Sequence, residues 1–120
     1  MEEHPNRIIR GYTIMINGFL IQLGLRALSM HGRAPLMLKC SEECGELSQA
    51  ISKYLCTEAG MYSDKTMGEL RQDIIDEMAD VIITSLNIRL SMDITPRELE
   101  EAVHRKALRF EEKMDKVSGT

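Results

Sequence analysis

Hydrophobic residues recur at intervals of three and four along most of this chain, which is the spacing of one face of an α-helix. Glycine, proline and a polar loop interrupt this pattern and divide it into four segments. The segments are predicted at about 6–30, 35–55, 68–92 and from Thr95 onward, with a Gly-, Ser-, Asp- and Thr-containing loop at 57–66. The pattern therefore predicts an all-α protein of four helices.

Two local signals refine this prediction. Thr95-Pro96-Arg97-Glu98 combines a capping box with proline at the first helical position, and it predicts where the fourth helix begins. Asn17-Gly18, between two apolar runs, is instead a hairpin signal. An isolated hairpin would have no sheet to join in a helical chain, so we expect a helix there as well.

Composition is compatible with one compact domain over residues 1–120. Hydrophobic residues make up 43% of the chain but aromatic residues only 4%, which is more typical of a helical core than of a β-sheet core. A net charge of −4 argues against binding to nucleic acid. The apolar run at 12–30 is interrupted by polar residues, so we expect no membrane span.

The cysteines and the chain start bear on location. Three cysteines cannot all pair within one chain, and none forms a C-x-x-C motif, so reduced thiols in a cytoplasmic protein are expected. The polar, acidic residues at the start predict that there is no signal peptide.

The two middle helices share one design in helical projection. An apolar stripe is predicted for the second helix at Met37, Cys40, Cys44, Leu47, Ile51 and Leu55, with Lys39, Glu43, Glu46 and Ala50 beside it and Glu42 facing away. In the third helix the stripe is Leu70, Ile74, Met78, Val81, Ile82, Ser85 and Met92, flanked by Asp73, Glu77, Asp80, Thr84 and Asn87. Ile83 and Leu90 give the third helix a second apolar face, which suggests a further partner such as a second subunit.

Acids on matching flanks of two helices indicate a metal site. Glu43 and Glu46 opposite Glu77 and Asp80 would bring four carboxylates into one cleft, where they would repel one another. A hard divalent cation such as Mg²⁺ removes that repulsion and can bridge the carboxylates to a polyphosphate. Either motif alone is more typical of a solvated helix face, on which Lys39 and Glu43 would form an ordinary i,i+4 pair.

The chain resembles a known enzyme family in four stretches. These are KCSEECGEL at 39–47, DEMADVII at 76–83, ITPREL at 94–99 and AVHRKALRF at 102–110. They are similar to the MazG-like nucleoside triphosphate pyrophosphohydrolases, whose signature is E-x-x-E on one helix and E-x-x-D on the next. The resemblance implies a four-helix bundle that works as a dimer or a dimer of dimers.

The resemblance also implies roles for individual residues. Glu43, Glu46, Glu77 and Asp80 would be catalytic ligands of Mg²⁺, with Mn²⁺ as an alternative, and activated water would attack the α-phosphorus of a nucleoside triphosphate and expel pyrophosphate. Lys106 and Arg109 would neutralise phosphate charge, and Lys39 and Asn87 would make further substrate contacts. Participation of Glu42 and Asp73, and the preferred base and sugar, stay open.

Three other functions are considered for the same sequence. A non-catalytic helical adaptor explains the amphipathic helices but not the matching acidic flanks. A sensor that binds a nucleotide without turnover is also compatible with the sequence. Hydrolysis of phosphoribosyl-ATP would use similar acids, although no further residue supports it.

Overall fold

The computed structural model describes residues 5–119, with side chains from residue 18 onward, and this part of the chain forms four helices and no strand. The helices are α1 (Pro5–His31), α2 (Arg33–Glu58), α3 (Met67–Ser91) and α4 (Pro96–Ser118). The all-α prediction is confirmed, and Asn17-Gly18 lies within α1, so the hairpin alternative is wrong. None of these helices combines the length and apolar character needed to cross a membrane.

The helix ends follow from local chemistry. Gly32 alone separates α1 from α2 and has a φ of +81°, in the left-handed region that favours glycine. The predicted capping box of α4 is confirmed, since the Thr95 hydroxyl accepts from the Glu98 N–H and the Glu98 carboxylate accepts from the Thr95 N–H. A second capping box at the start of α3, between Thr66 and Glu69, was not predicted.

The core lies mainly where α2 and α3 pack in antiparallel fashion, and α1 packs against α3. Its buried apolar side chains are Leu36, Cys40, Ala50, Leu70 and Leu86. The approach of α1 is close at Gly24, because a Cβ atom there would lie 2.5 Å from Leu90 Cδ1 and 2.7 Å from Asn87 Oδ1. Leu90 therefore faces α1. At Leu90, the second apolar face predicted for the third helix packs against a helix of the same chain.

The contact between α2 and α3 is rotated away from the predicted stripes. Glu43 and Ala50 of α2 and Thr84 of α3, all predicted to flank the stripes, are buried instead. Exposed or part-exposed apolar residues remain on one side of the pair, namely Cys44, Ile51 and Leu55 of α2 and Ile75, Met78 and Ile82 of α3. We call these six residues the open face. The predicted burial of Cys44, Ile51, Leu55, Met78, Ile82, Ser85 and Met92 is therefore wrong, because nothing in the described chain covers them.

The fourth helix stands apart from the other three. No packing contact between α4 and α1, α2 or α3 occurs among the described residues, and α4 has no buried residue. Its apolar residues Leu99, Val103, Phe110, Met114 and Val117 are exposed. Four helices are thus present, but one chain does not close them into a four-helix bundle.

Candidate metal centre

The central feature of the α2–α3 contact is a group of carboxylates. Glu43 of α2 and Glu77 and Asp80 of α3 each offer an oxygen, and these three oxygens all lie within 4.8 Å of one another. Glu43 faces Glu77 because the two helices are antiparallel and meet on this side. Asp80 follows Glu77 by one helical turn and therefore lies on the same side of α3.

Glu46 belongs to the same group. It is exposed at the edge of the contact, one turn after Glu43, and its carboxyl perturbs the pKa values of both Glu43 and Glu77. We call Glu43, Glu46, Glu77 and Asp80 the acid cluster. Three of the four carboxylates expected to share one cleft therefore converge, and Glu46 lies beside them.

Two oxygens of the cluster are buried without partners. Glu43 is only 5% exposed and Glu77 is half-buried, yet the Oε2 atom of each has no hydrogen-bond partner among the described residues. A buried carboxylate oxygen without a donor is costly, because burial removes its hydration and nothing replaces it. A cation between these oxygens would satisfy both.

Burial and mutual repulsion act most strongly on Glu77. Burial is the largest cause of the raised pKa of Glu77, and the nearby charges of Glu46, Asp80 and Glu43 raise this pKa further. Lys39 has the opposite effect on Glu43, because its Nζ lies 3.1 Å from Glu43 Oε1 and holds the pKa of that carboxyl below its usual range. The cluster therefore contains one carboxyl that keeps its proton more readily and one that loses it more readily.

Two neighbouring acids, Glu42 and Asp73, have contacts that bear on the roles left open. Lys39 Nζ is also 3.4 Å from Glu42 Oε2, so Glu42 sits on the solvent side of Lys39 and outside the acid cluster. Asp73 is paired with Lys65 of the α2–α3 loop at 2.7 Å. Both acids thus interact with lysines, and neither belongs to the group of converging oxygens.

The remaining predicted substrate contacts lie elsewhere. Asn87 is seven residues beyond Asp80 on α3, and its Oδ1 faces Gly24 of α1. Lys106 and Arg109 are exposed on α4, which does not pack against α2 or α3. Of the four predicted substrate contacts, only Lys39 is placed beside the acid cluster within one chain.

One residue at the site had no assigned role. Thr84 is buried, and its hydroxyl donates to the backbone oxygen of Asp80 at 2.8 Å. This bond is local to the helix, and it places a small polar side chain in the contact with α2, one turn beyond Asp80. The i,i+4 spacing from Asp80 is the sequence signal that could have identified it.

The cluster suits a hard divalent ion. Mg²⁺ prefers oxygen ligands and is commonly held by a few carboxylates together with waters, and this site offers carboxylate oxygens, some buried and some solvent-facing. Nitrogen and sulfur ligands, which zinc prefers, are absent from the group of converging residues. Comparison of the chain with protein-family models, curated proteins and solved structures found no match.

Proposed function

We propose that this protein hydrolyses a nucleoside triphosphate to the monophosphate and pyrophosphate at the acid cluster, with Mg²⁺ bound there. The observation that supports the proposal is the pair of buried, unpartnered oxygens on Glu43 and Glu77, which lie close to Asp80. A bound Mg²⁺ would supply charge neutralisation, polarisation of a phosphoryl oxygen and a more acidic water. Mn²⁺ would fit the same oxygen ligands.

The residues of the cluster divide by exposure. Glu43 and Glu77 are the inner ligands, whereas Glu46 and Asp80 are exposed at the surface where a triphosphate could approach. In the proposed reaction the oxygen of water forms a bond to the α-phosphorus, and the bond from that phosphorus to the oxygen bridging to the β-phosphorus breaks. Pyrophosphate leaves, and an exposed carboxylate receives the proton of water.

Positive charge is needed around the triphosphate as well. Lys39 is the cation beside the cluster, and it is half exposed while paired with Glu43, so it could turn toward a phosphate. Lys106 and Arg109 could contribute only if an α4 helix were brought to the cluster. The predicted homodimer or homotetramer therefore stays part of the proposal, as does the cytoplasmic location, with which three free thiols are compatible.

A non-catalytic helical adaptor is the second candidate. The uncovered apolar residues of α4 and of the open face favour it, because exposed apolar surfaces of this extent are typical of interaction sites. An adaptor needs no divalent ion, so dependence on Mg²⁺ distinguishes the two. A nucleotide sensor would bind Mg²⁺ and nucleotide but release no pyrophosphate.

Two neighbouring glutamates provide a matched test of the site. Glu43→Gln removes a buried ligand, and Glu42→Gln removes one charge from the exposed residue beside it. We expect Mg²⁺-dependent pyrophosphate release to fall by at least about 100-fold in the first variant and to stay within about twofold in the second. Circular dichroism of both variants checks that the helices are retained. Equal activity in the two variants would contradict the proposed site.

A further inference from the structure

A crevice beside the α2–α3 loop lies outside the acid cluster. The end of α2, the loop and the start of α3 enclose it, and its volume is about 320 Å³. Small-molecule sites usually measure about 300–1,000 Å³, so this cavity can hold one small ligand or one part of a larger ligand. We call it the loop crevice.

The lining of the loop crevice combines apolar surface with balanced charge. Met61, Tyr62 and Leu70 supply the apolar surface, and the Tyr62 side chain is 93% exposed, so its ring is available to a ligand. Lys53 and Asp64 add one charge of each sign, and neither forms an ion pair among the described residues. An apolar wall with one donor and one acceptor suits a flat polar ring better than it suits a polyphosphate.

The loop that forms the crevice is held in place by its own contacts. Lys65 Nζ lies 2.7 Å from Asp73 Oδ2, which neutralises the lysine and ties the loop to α3. The Lys65 N–H donates to Ser63 Oγ at 3.1 Å, and the Met61 N–H donates to Cys56 O at 3.0 Å. The crevice is therefore preformed, and a ligand does not have to order the loop on binding.

The loop crevice lies on the same side of the α2–α3 pair as the acid cluster. Lys53 follows Glu46 by seven residues, and Leu70 precedes Glu77 by seven, so the members of each pair share a helix face. Seven residues correspond to about 10.5 Å along either helix. Because α2 and α3 are antiparallel, both displacements point toward the loop, and one groove leads from the acid cluster to the crevice.

Lys39 lies at the other end of the acid cluster. It precedes Glu43 by one helical turn, so it is further from the loop than the cluster is. A nucleotide with its α-phosphorus at the cluster extends in two directions from that point. The positive charge of Lys39 matches the β- and γ-phosphates, which leaves the loop crevice for the nucleoside.

We propose that the loop crevice is the nucleoside subsite of the proposed hydrolysis, with the base stacked on Tyr62 and the pyrophosphate end of the substrate toward Lys39. This inference rests on the proposed function, because the acid cluster fixes where the α-phosphorus lies. The displacement along the helices is comparable to the extent of a nucleoside beyond its α-phosphorus. Lys53 donates to the polar edge of the base and Asp64 accepts from it.

Binding of the two reaction products tests the direction of the substrate. At saturating Mg²⁺, Tyr62→Ala should weaken binding of a nucleoside monophosphate by about tenfold and change pyrophosphate binding by less than about twofold. Lys39→Met should weaken pyrophosphate binding more than monophosphate binding. Isothermal titration calorimetry with AMP, GMP, CMP, UMP and pyrophosphate measures both variants.

Two further variants control for the ring and for the fold. Tyr62→Phe keeps the stacking surface and should bind monophosphate like the natural chain. Phe19→Ala removes an exposed aromatic side chain from α1 and should also leave binding unchanged. Monophosphate binding that Tyr62→Ala does not weaken, or that is absent from the natural chain, would overturn the proposal. Equal weakening of monophosphate and pyrophosphate by Tyr62→Ala would overturn it as well.

Photolabelling locates the base directly. On irradiation with the natural chain and Mg²⁺, 8-azidoadenosine or 5-azidouridine monophosphate should label Met61 or Tyr62, and excess unlabelled monophosphate should suppress the label. Mass spectrometry of peptides identifies the labelled residue, and a label absent from the loop would overturn the proposal. Neither experiment requires turnover. A labelled loop without pyrophosphate release would refute the proposed hydrolysis alone, and turnover with the base bound elsewhere would refute the subsite alone.

Discussion

Folded proteins usually bury apolar side chains and expose charged ones, and the α2–α3 contact and the α4 helix both depart from this. The contact buries a charged residue, and α4 exposes apolar residues. Where α2 meets α3, charged Glu43 is buried and Cys44, the next residue, is exposed. Along α4, Phe110 and Val117 are exposed and no side chain is buried. Each arrangement costs free energy in an isolated chain, because carboxylates lose hydration in the first region and apolar surface contacts water in the second.

The difference between the regions indicates what each one lacks. Buried carboxylates are relieved by positive charge, which a small cation can supply, and exposed apolar residues are relieved by an apolar surface. The first region is therefore expected to respond to Mg²⁺ and not to protein concentration. The second is expected to respond to protein concentration and not to Mg²⁺.

The largest expected effect comes from removing an acid of α3. Asp80→Asn should lower Mg²⁺-dependent pyrophosphate release by about 100-fold or more, because a neutral amide cannot replace the carboxylate as a ligand. Asp76→Asn is the matched control, since Asp76 is an exposed aspartate of the same helix that accepts a hydrogen bond from Gln72. Initial rates at saturating substrate measure both variants. Loss of activity in the control alone would mean that the acid cluster is not the site.

The next effect is on thermal stability. If Mg²⁺ binds the folded chain, a concentration about 100 times its dissociation constant adds about 2.7 kcal/mol, which corresponds to a rise in Tm of roughly 10 °C. Glu43→Gln should lose this rise. Phe110→Glu should keep the rise but lose the increase of Tm with protein concentration. Differential scanning fluorimetry at two protein concentrations, with Mg²⁺ and with chelator, measures all four conditions.

A variant that lost both responses together would show that the two regions are not independent, and one that kept both would show that the changed residue does not act in the region assigned to it. Either result would contradict the separate roles of the acid cluster and of α4.

How far the sequence predicted these regions depends on the kind of information each required. The acid cluster could be predicted because Glu43 and Glu46, like Glu77 and Asp80, are three residues apart and share a helix face. The rotation of the α2–α3 contact could not, because a helical projection defines the faces of one helix but not the face that its partner selects. Small residues in the contact, Ala50 and Thr84, lie on the flank predicted to be polar.

The sequence pattern also could not predict that α4 would be separate from the other three helices. Its capping box was predicted from neighbouring residues and is present in the structure, whereas its stripe of exposed apolar residues was not predicted. Whether the stripe packs within its own chain depends on the geometry of the short connection around Asp93. For the same reason the sequence could place Lys106 and Arg109 on a helix but could not bring them to the acid cluster.

The smallest expected effect is a dependence of stability on pH without metal. The pKa of Glu77 is higher in the folded chain than in the unfolded chain, so the folded state favours its protonated form. Protonated Glu77 therefore contributes to the free energy of unfolding at low pH. This contribution is lost as the pH rises from about 4.3, the usual pKa of a glutamate, through the raised pKa of Glu77. Glu43 has the opposite sign, since its lowered pKa contributes stability that is lost as the pH falls. Glu77→Gln should therefore lessen the loss of Tm on the alkaline side, and Glu112→Gln on α4 should not. Thermal melts in chelator over this pH range measure the effect, and identical profiles for the two variants would contradict it.

The most direct test of the central claim is hydrolysis of a panel of ribo- and deoxyribonucleoside triphosphates in ¹⁸O-labelled water, with Mg²⁺ and with chelator. We expect Mg²⁺-dependent formation of monophosphate and pyrophosphate in equal amounts, with ¹⁸O in the monophosphate and none in the pyrophosphate. Absence of pyrophosphate from every nucleotide, or ¹⁸O in released orthophosphate, would contradict it.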